Sequence, residues 1–396
     1  MSPLEPLEAS SGASRSPGPA DLGIVMTGGG ARAAYQVGFL RCLARLYPEL
    51  RIPYVTGISA GAINAALLAS HHGTFLQAVS ELSGLWGNLT VGDVFRTDTR
   101  SLAMNVVNWL RQLASGGIGR PRLVRGLVDT QPLRAFLTEV LHAVDGELTG
   151  VKYNLDRGRL NALAISTTSY STGQSVTWIQ GNDVELWERP MRKPVTTTMS
   201  VDHVMASAAL PLFFPAVGIE NAWYGDGGIR LVAPLSPVIH LGARRIIAIS
   251  TRYAASDAEQ AEHTVHGYPP PAQVMGVLMN SIFLDLLDHD ALRLERLNQL
   301  LDDLPEGSRG GLKQVRLLTL RPSADLGKMA GQFEAQLPRA FRFMTRGLGT
   351  KETRSPDFLS MVLFQPDYLT ALIEIGEKDA AARVGEIEAF LEAETD

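Results

Sequence analysis

Within its first seventy residues the chain twice runs from a short apolar segment through a glycine turn straight into a helical pattern. No other feature limits its fold as much. The run LGIVMT, starting at Leu22, has the pattern of a buried strand and stops at TGGG; ARAAYQVGFLRCLARL then follows with apolar residues at helical spacing. Residues 52–56 form a second apolar run that ends in GISAG, and INAALLASH follows at once. Strand, turn and helix repeated in this order build a parallel sheet whose crossovers lie on its faces as helices. Apolar runs at 160–167, 175–180, 245–250 and 315–320 predict four more strands. The expected fold class is α/β: a three-layer, mostly parallel sheet with helices on both faces, a helical insertion and a helical C-terminal part.

A chain of 396 residues could hold two or three domains, yet no linker forces a cut. Residues 1–20 are rich in Ser, Pro, Gly and Ala and lack the basic start and apolar centre of a secretory signal, so a flexible tail is expected there. Residues 21–268 read as the core domain, with the insertion at about 85–141, and 269–396 as a mainly helical part packed on the same core. No apolar run reaches the ~20 residues of a spanning helix. The single cysteine, Cys42, excludes an internal disulfide framework and a multi-cysteine zinc site, and suits a reducing, cytoplasmic compartment. A net charge of −5 without any block of like charge argues against a nucleic-acid partner.

Three short strings carry chemistry. In Gly57-Ile58-Ser59-Ala60-Gly61 a strand turns sharply into a helix, which lifts the central side chain above the sheet and sets it at a helix N-terminus, where anionic charge is stabilised. An ordinary turn with a capping serine has the same composition. The run Gly28-Gly29-Gly30, followed by Ala31, Arg32 and Ala33, can converge its N–H groups on an anion. That suits an oxyanion hole or a dinucleotide pyrophosphate. The second strand ends in Thr56, not in the acidic residue that a ribose would need, which disfavours a nicotinamide enzyme. The third string is Asp226-Gly227-Gly228, either a capped turn or a carboxylate base for Ser59. The histidines (His71, His72, His142, His203, His240, His263, His266 and His289) lie in no recognisable catalytic context. A carboxylate could replace them if its site were dry enough to raise its basicity.

Taken in order, TGGGARAAYQVGFL, GISAGAINAAL and DGG resemble the patatin-like phospholipases, serine hydrolases with a Ser–Asp dyad. MASAALPLFFP is similar to the family's stretch before the aspartate, and GLVDTQPLRAFL to a segment of its bacterial members. The resemblance covers roughly residues 22–250. It implies Ser59 as nucleophile, Asp226 as its base, Gly28, Gly29 and Gly30 as the oxyanion hole with Arg32 beside it, and Gly57, Gly61, Gly227 and Gly228 as motif glycines. Ala33 stands where the family usually has Gly, and DGG where DGA is the other common form; both are exchanges between small residues. The implied activity is lipid acyl hydrolysis through an acyl-Ser59 intermediate, of phospholipase, lysophospholipase or carboxylesterase type. It needs no cofactor and no metal. The partner is a lipid or fatty-acyl ester, met by peripheral contact with a membrane through apolar surface. A lipid-binding or regulatory member with a weak site is the alternative.

Two stretches compete for roles around such a site. Met275, Leu278, Met279, Ile282 and Phe283 have the spacing of an acyl slot and equally that of a core helix. Met104 to Gly116, with Trp109 and Arg111, reads as an interfacial lid or as a packed cap helix.

Overall fold

The computed structural model describes residues 4–5, 18–96, 126–253, 259, 268–347 and 356–392. The proposed lid at 104–116, His263 and His266 lie outside the described residues. A nine-stranded sheet forms the centre: β1 (Leu22–Met26), β2 (Tyr54–Ile58), β3 (Ala162–Ser169), β4 (Ser175–Gly181), β5 (Arg192–Thr196), β6 (Val217–Ile219), β7 (Ala222–Asp226), β8 (Arg245–Ile249) and β9 (Arg316–Leu320). The main order is β5-β4-β3-β2-β1-β8-β9, with β7 paired to β3 and β6 to β7. The five strands from β3 to the edge strand β9 are mutually parallel; β3–β4, β3–β7 and β6–β7 are antiparallel.

β1, β3 and β8 are buried along their whole length, as strands covered on both faces must be. Their runs of Ile, Val, Leu and Ala follow from that. Helix α1 (Ala34–Leu46) follows β1, α2 (Ala60–Ser70) follows β2, and α3 (Phe75–Asn88) begins after a Thr74–Gln77 capping box. Because β1 and β2 are parallel neighbours, their C-terminal ends bring the glycine turn and the GISAG turn side by side. In an open parallel sheet ligands bind at that edge.

Six of the nine strands match the apolar runs read from the sequence; β5, β6 and β7 do not appear there. β6 and β7 form a hairpin across Glu220 and Asn221, with Glu220 in the left-handed region (φ 52). Asp226, read as part of a turn, is in fact the last residue of β7. Among the described residues no helix is long and apolar enough to cross a membrane.

Candidate active site

β2 runs through Gly57 and Ile58 and stops at Ser59, whose backbone (φ 56, ψ −133) is nearly inaccessible to a residue with a Cβ. Packing on both sides maintains that strain. A Cβ on Gly61 would fall 2.2 Å from the Met26 carbonyl oxygen, so only glycine lets α2 start this close to β1. The Ser59 N–H donates to Ser207 Oγ (2.9 Å), and Ser207 donates to the Ser166 carbonyl (2.7 Å). The turn is thereby tied to β3 and to the helix Val201–Ser207.

The glycine turn lies directly against this serine. A Cβ on Gly28 would sit 2.8 Å from Ser59 Cβ and 3.3 Å from its Oγ. Gly29 has φ 138 and Gly30 φ 57, conformations that L side chains rarely adopt. Thr251, just past β8, donates to the Gly28 carbonyl (2.7 Å) and fixes the turn from the other side. Arg32 does not reach into the site. Its side chain is 4% exposed and is paired with Asp357, and its Nε donates to Ser360 Oγ (2.6 Å). Arg32 is therefore a buried structural cation, because a guanidinium out of water needs its partners close by.

Asp226 reaches the same point from β7, antiparallel to β3. It is fully buried. Its N–H donates to the Ala209 carbonyl (3.1 Å), its carbonyl accepts from Thr168 Oγ1 (2.8 Å), and its Oδ1 accepts from the Gly228 N–H (2.9 Å). Burial pushes its pKa up to about 7, against the opposing pull of hydrogen bonds from the Ser59 hydroxyl and the Gly228 N–H. Oδ2 has no partner of full hydrogen-bond geometry, so the Ser59–Asp226 contact is a loose one. Nucleophile–base pairs commonly tighten only when substrate arrives.

Ser59 and Gly30 line an apolar pocket, part of it open to solvent. Leu82, Leu85 and Trp86 of α3, Leu133 and Phe136 of the helix Gln131–Val140, Phe214, and Met361, Val362 and Phe364 line it. The helix Pro271–Phe283 does not. Met279 and Phe283 are buried in the core, with Phe283 against Gly228, while Val274, Val277 and Leu278 face out. The slot expected at Met275–Phe283 is thus replaced by one built mainly from the early helices. None of the described histidines lines the cavity. His203 bonds to Ser200 and meets Trp178 edge to face, and burial lowers its pKa to about 4; His240 packs against Trp187 with the rings tilted. Among the described residues no cluster of three His, Cys, Asp or Glu could hold a metal.

Sequence reading missed the polar clamp behind the site. Gln36 donates to the Thr27 carbonyl (2.7 Å), Asn64 to Gln36 Oε1 (2.9 Å), and Trp86 Nε1 to Asn64 Oδ1 (2.7 Å). The signal was there: Gln36 and Asn64 are the lone amide side chains of α1 and α2.

A sequence model described as "Patatin-like phospholipase" matches residues 24–239, more than half of the chain. No curated protein sequence matches significantly. Among solved structures, VipD from Legionella pneumophila aligns at 12% identity and a TM-score of 0.39, covering 93% of this chain and 67% of that one. Human GIVD cytosolic phospholipase A2, in complex with methyl gamma-linolenyl fluorophosphonate, aligns at 14% and 0.45, covering 93% and 58%. The chain therefore spans from under three fifths to two thirds of the length of these proteins.

Proposed function

The chain belongs to the patatin-like phospholipase family, and from that premise we propose that it is a serine-dependent lipid acyl hydrolase in which Ser59 attacks and Asp226 takes the proton. One observation carries the reading: a strained serine at the mouth of an apolar cavity meets a fully buried carboxyl whose pKa lies near 7. A serine hydroxyl is a poor nucleophile until a base removes its proton, and a carboxylate at its ordinary pKa is too weak to do so. Raised to about 7, Asp226 is basic enough to accept that proton as the Oγ–carbonyl bond forms.

The carbonyl oxygen becomes an oxyanion facing the glycine turn, where the N–H groups of Gly29 and Gly30 and the N-terminus of α2 stabilise it. Collapse of the intermediate breaks the ester C–O bond, and the leaving alcohol takes the proton back from Asp226. The acyl group stays on Ser59 with its chain among Leu82, Leu85, Trp86, Leu133 and Phe136. Asp226 then deprotonates a water, which attacks the acyl carbon; the Ser59 Oγ–acyl bond breaks, Ser59 takes the proton back from Asp226, and the fatty acid leaves.

The test is fluorophosphonate labelling of wild type, Ser59→Ala and Asp226→Ala, followed by a panel of fatty-acyl esters. Wild type should label and hydrolyse, Ser59→Ala should do neither, and Asp226→Ala should lose at least about a hundredfold in rate. Labelling that survives Ser59→Ala sinks the proposal. An unlabelled wild type that binds lipid would make the chain a lipid-binding member of its family.

A further inference from the structure

The segment Pro-Asp-Phe-Leu-Ser-Met-Val-Leu-Phe at 356–364 lies more than three hundred residues from the glycine turn and beyond the family match at 24–239. It nevertheless forms one wall of the site. Its helix, Asp357–Val362, is followed by Leu363 and Phe364, and every residue from Phe358 to Phe364 is buried. A Cβ on Gly30 would fall 2.1 Å from the Met361 carbonyl oxygen, so the two backbones are seated directly on each other. One residue pair then joins them chemically. Arg32, within the turn that starts at Gly30, donates to Asp357 Oδ1 and to Ser360 Oγ. Asp357 Oδ2 accepts from Asn280 Nδ2 (2.9 Å), and Ser360 Oγ donates to the Asp357 carbonyl (2.6 Å).

A guanidinium is a planar fork, so two partners fix its position and its direction at once. Gly29 and Gly30 have no side chains to lock their own dihedrals, and the next anchor along the chain is Arg32. We propose that Asp357 is a positioning residue that acts through Arg32 to hold the Gly29 and Gly30 N–H groups opposite Ser59, so that segment 356–364 completes the oxyanion hole. The proposal rests on the hydrolase reading above. It also gives Arg32 a role that needs no contact with substrate.

The experiment is steady-state hydrolysis of a medium-chain p-nitrophenyl ester by the full chain carrying Asp357→Asn, Arg32→Met, both together, and Ser360→Ala. A trifluoromethyl ketone serves as the probe for oxyanion binding. Asp357→Asn should lower kcat about tenfold, since a small displacement of stabilising groups is enough for that, with KM within about twofold. Trifluoromethyl ketone affinity should fall by the same factor as kcat. In the Arg32→Met background, Asp357→Asn should cost nothing further, because a residue acting only through Arg32 has nothing left to act on. Unchanged kcat in Asp357→Asn, a loss confined to KM, or an equal loss in both backgrounds overturns the positioning role. If Asp357→Asn does not fold, Ser360→Ala carries the test: kcat should drop about threefold with an intact thermal transition, and an unchanged kcat is the overturning result. Hydrolysis that survives Ser59→Ala would instead overturn the hydrolase reading itself.

Discussion

A carboxyl sealed from water is a weak acid, and at Asp226 the proposed mechanism ties that single fact to both rate and stability. The ionised form is the one that can accept a proton. The kcat/KM of ester hydrolysis should therefore rise with pH through about 7 and level off above it. Stability runs the other way. An unfolded aspartate titrates near about 3.9, so between that value and about 7 the folded state holds a proton that the unfolded state has lost. The corresponding stability is fully present below the lower value and is lost as pH rises through the upper one. Asp226→Asn removes the titration along with the base. It should abolish hydrolysis yet melt higher than wild type at pH 8, by on the order of a few kcal/mol, with the gap narrowing towards pH 4. Melting curves across that range decide the point, and a gap independent of pH would show that the buried carboxyl is not its source. Ser59 and Asp226 stand out in the sequence because their signatures are local glycine strings. Ser207, Thr251 and Asp357 do not, because each is a lone polar residue whose partner is set by tertiary packing.

At the scale of elements, the site is supported by helices that cross-link through amides. Thr27 follows β1, Gln36 lies on α1, Asn64 on α2 and Trp86 on α3, and one chain of hydrogen bonds joins all four. All of these groups are buried, so a missing member leaves its neighbour without water or partner. Trp86→Phe keeps an aromatic ring, though a smaller one, and removes the donor to Asn64 Oδ1. It should lower stability by about 1–3 kcal/mol, a few degrees in the thermal midpoint for a chain of this length. An unshifted midpoint would mean that the network relaxes at no cost. The same scale shows where strands were legible. The six recognised from apolar runs include β1, β3 and β8, because burial along their whole length demands continuous apolar sequence. β5, which carries Arg192, Lys193 and Pro194, is half exposed and has no such demand. β6 and β7 are short and turn through Glu220 and Asn221, without the glycine that marks a tight hairpin. The strand that delivers Asp226 was thus hidden, although the aspartate itself was visible.

For the whole molecule, the question is whether the part outside the family match is an attachment or a structural necessity. β9 lies beside β8 in parallel and covers what would otherwise be an edge made of five buried residues. The helix Pro366–Ala381 packs along α1 so closely that a Cβ on Gly38 would fall 1.9 Å from the Ile373 carbonyl, and one on Gly376 would fall 2.1 Å from that of Tyr35. Around this contact Tyr35 donates to Asp379, and Arg41 and Arg45 both pair with Glu377. Tyr368, Leu369, Leu372 and Ile373 on that helix are fully buried. At about 1.5–3 kcal/mol for each such side chain, the four alone contribute roughly as much as the entire net stability of a typical domain, about 5–15 kcal/mol. A chain ending after residue 268 should therefore fail to fold, even though it retains both Ser59 and Asp226. Its bare β8 edge and uncovered α1 face would drive association with other chains. Expression of that fragment beside the full chain, followed by gel filtration and a thermal melt, tests the argument. Aggregation or a melt without cooperativity is expected. A soluble monomer with a cooperative transition would show that residues 269–396 are dispensable, and the glycine turn would then have to hold its shape without Asp357.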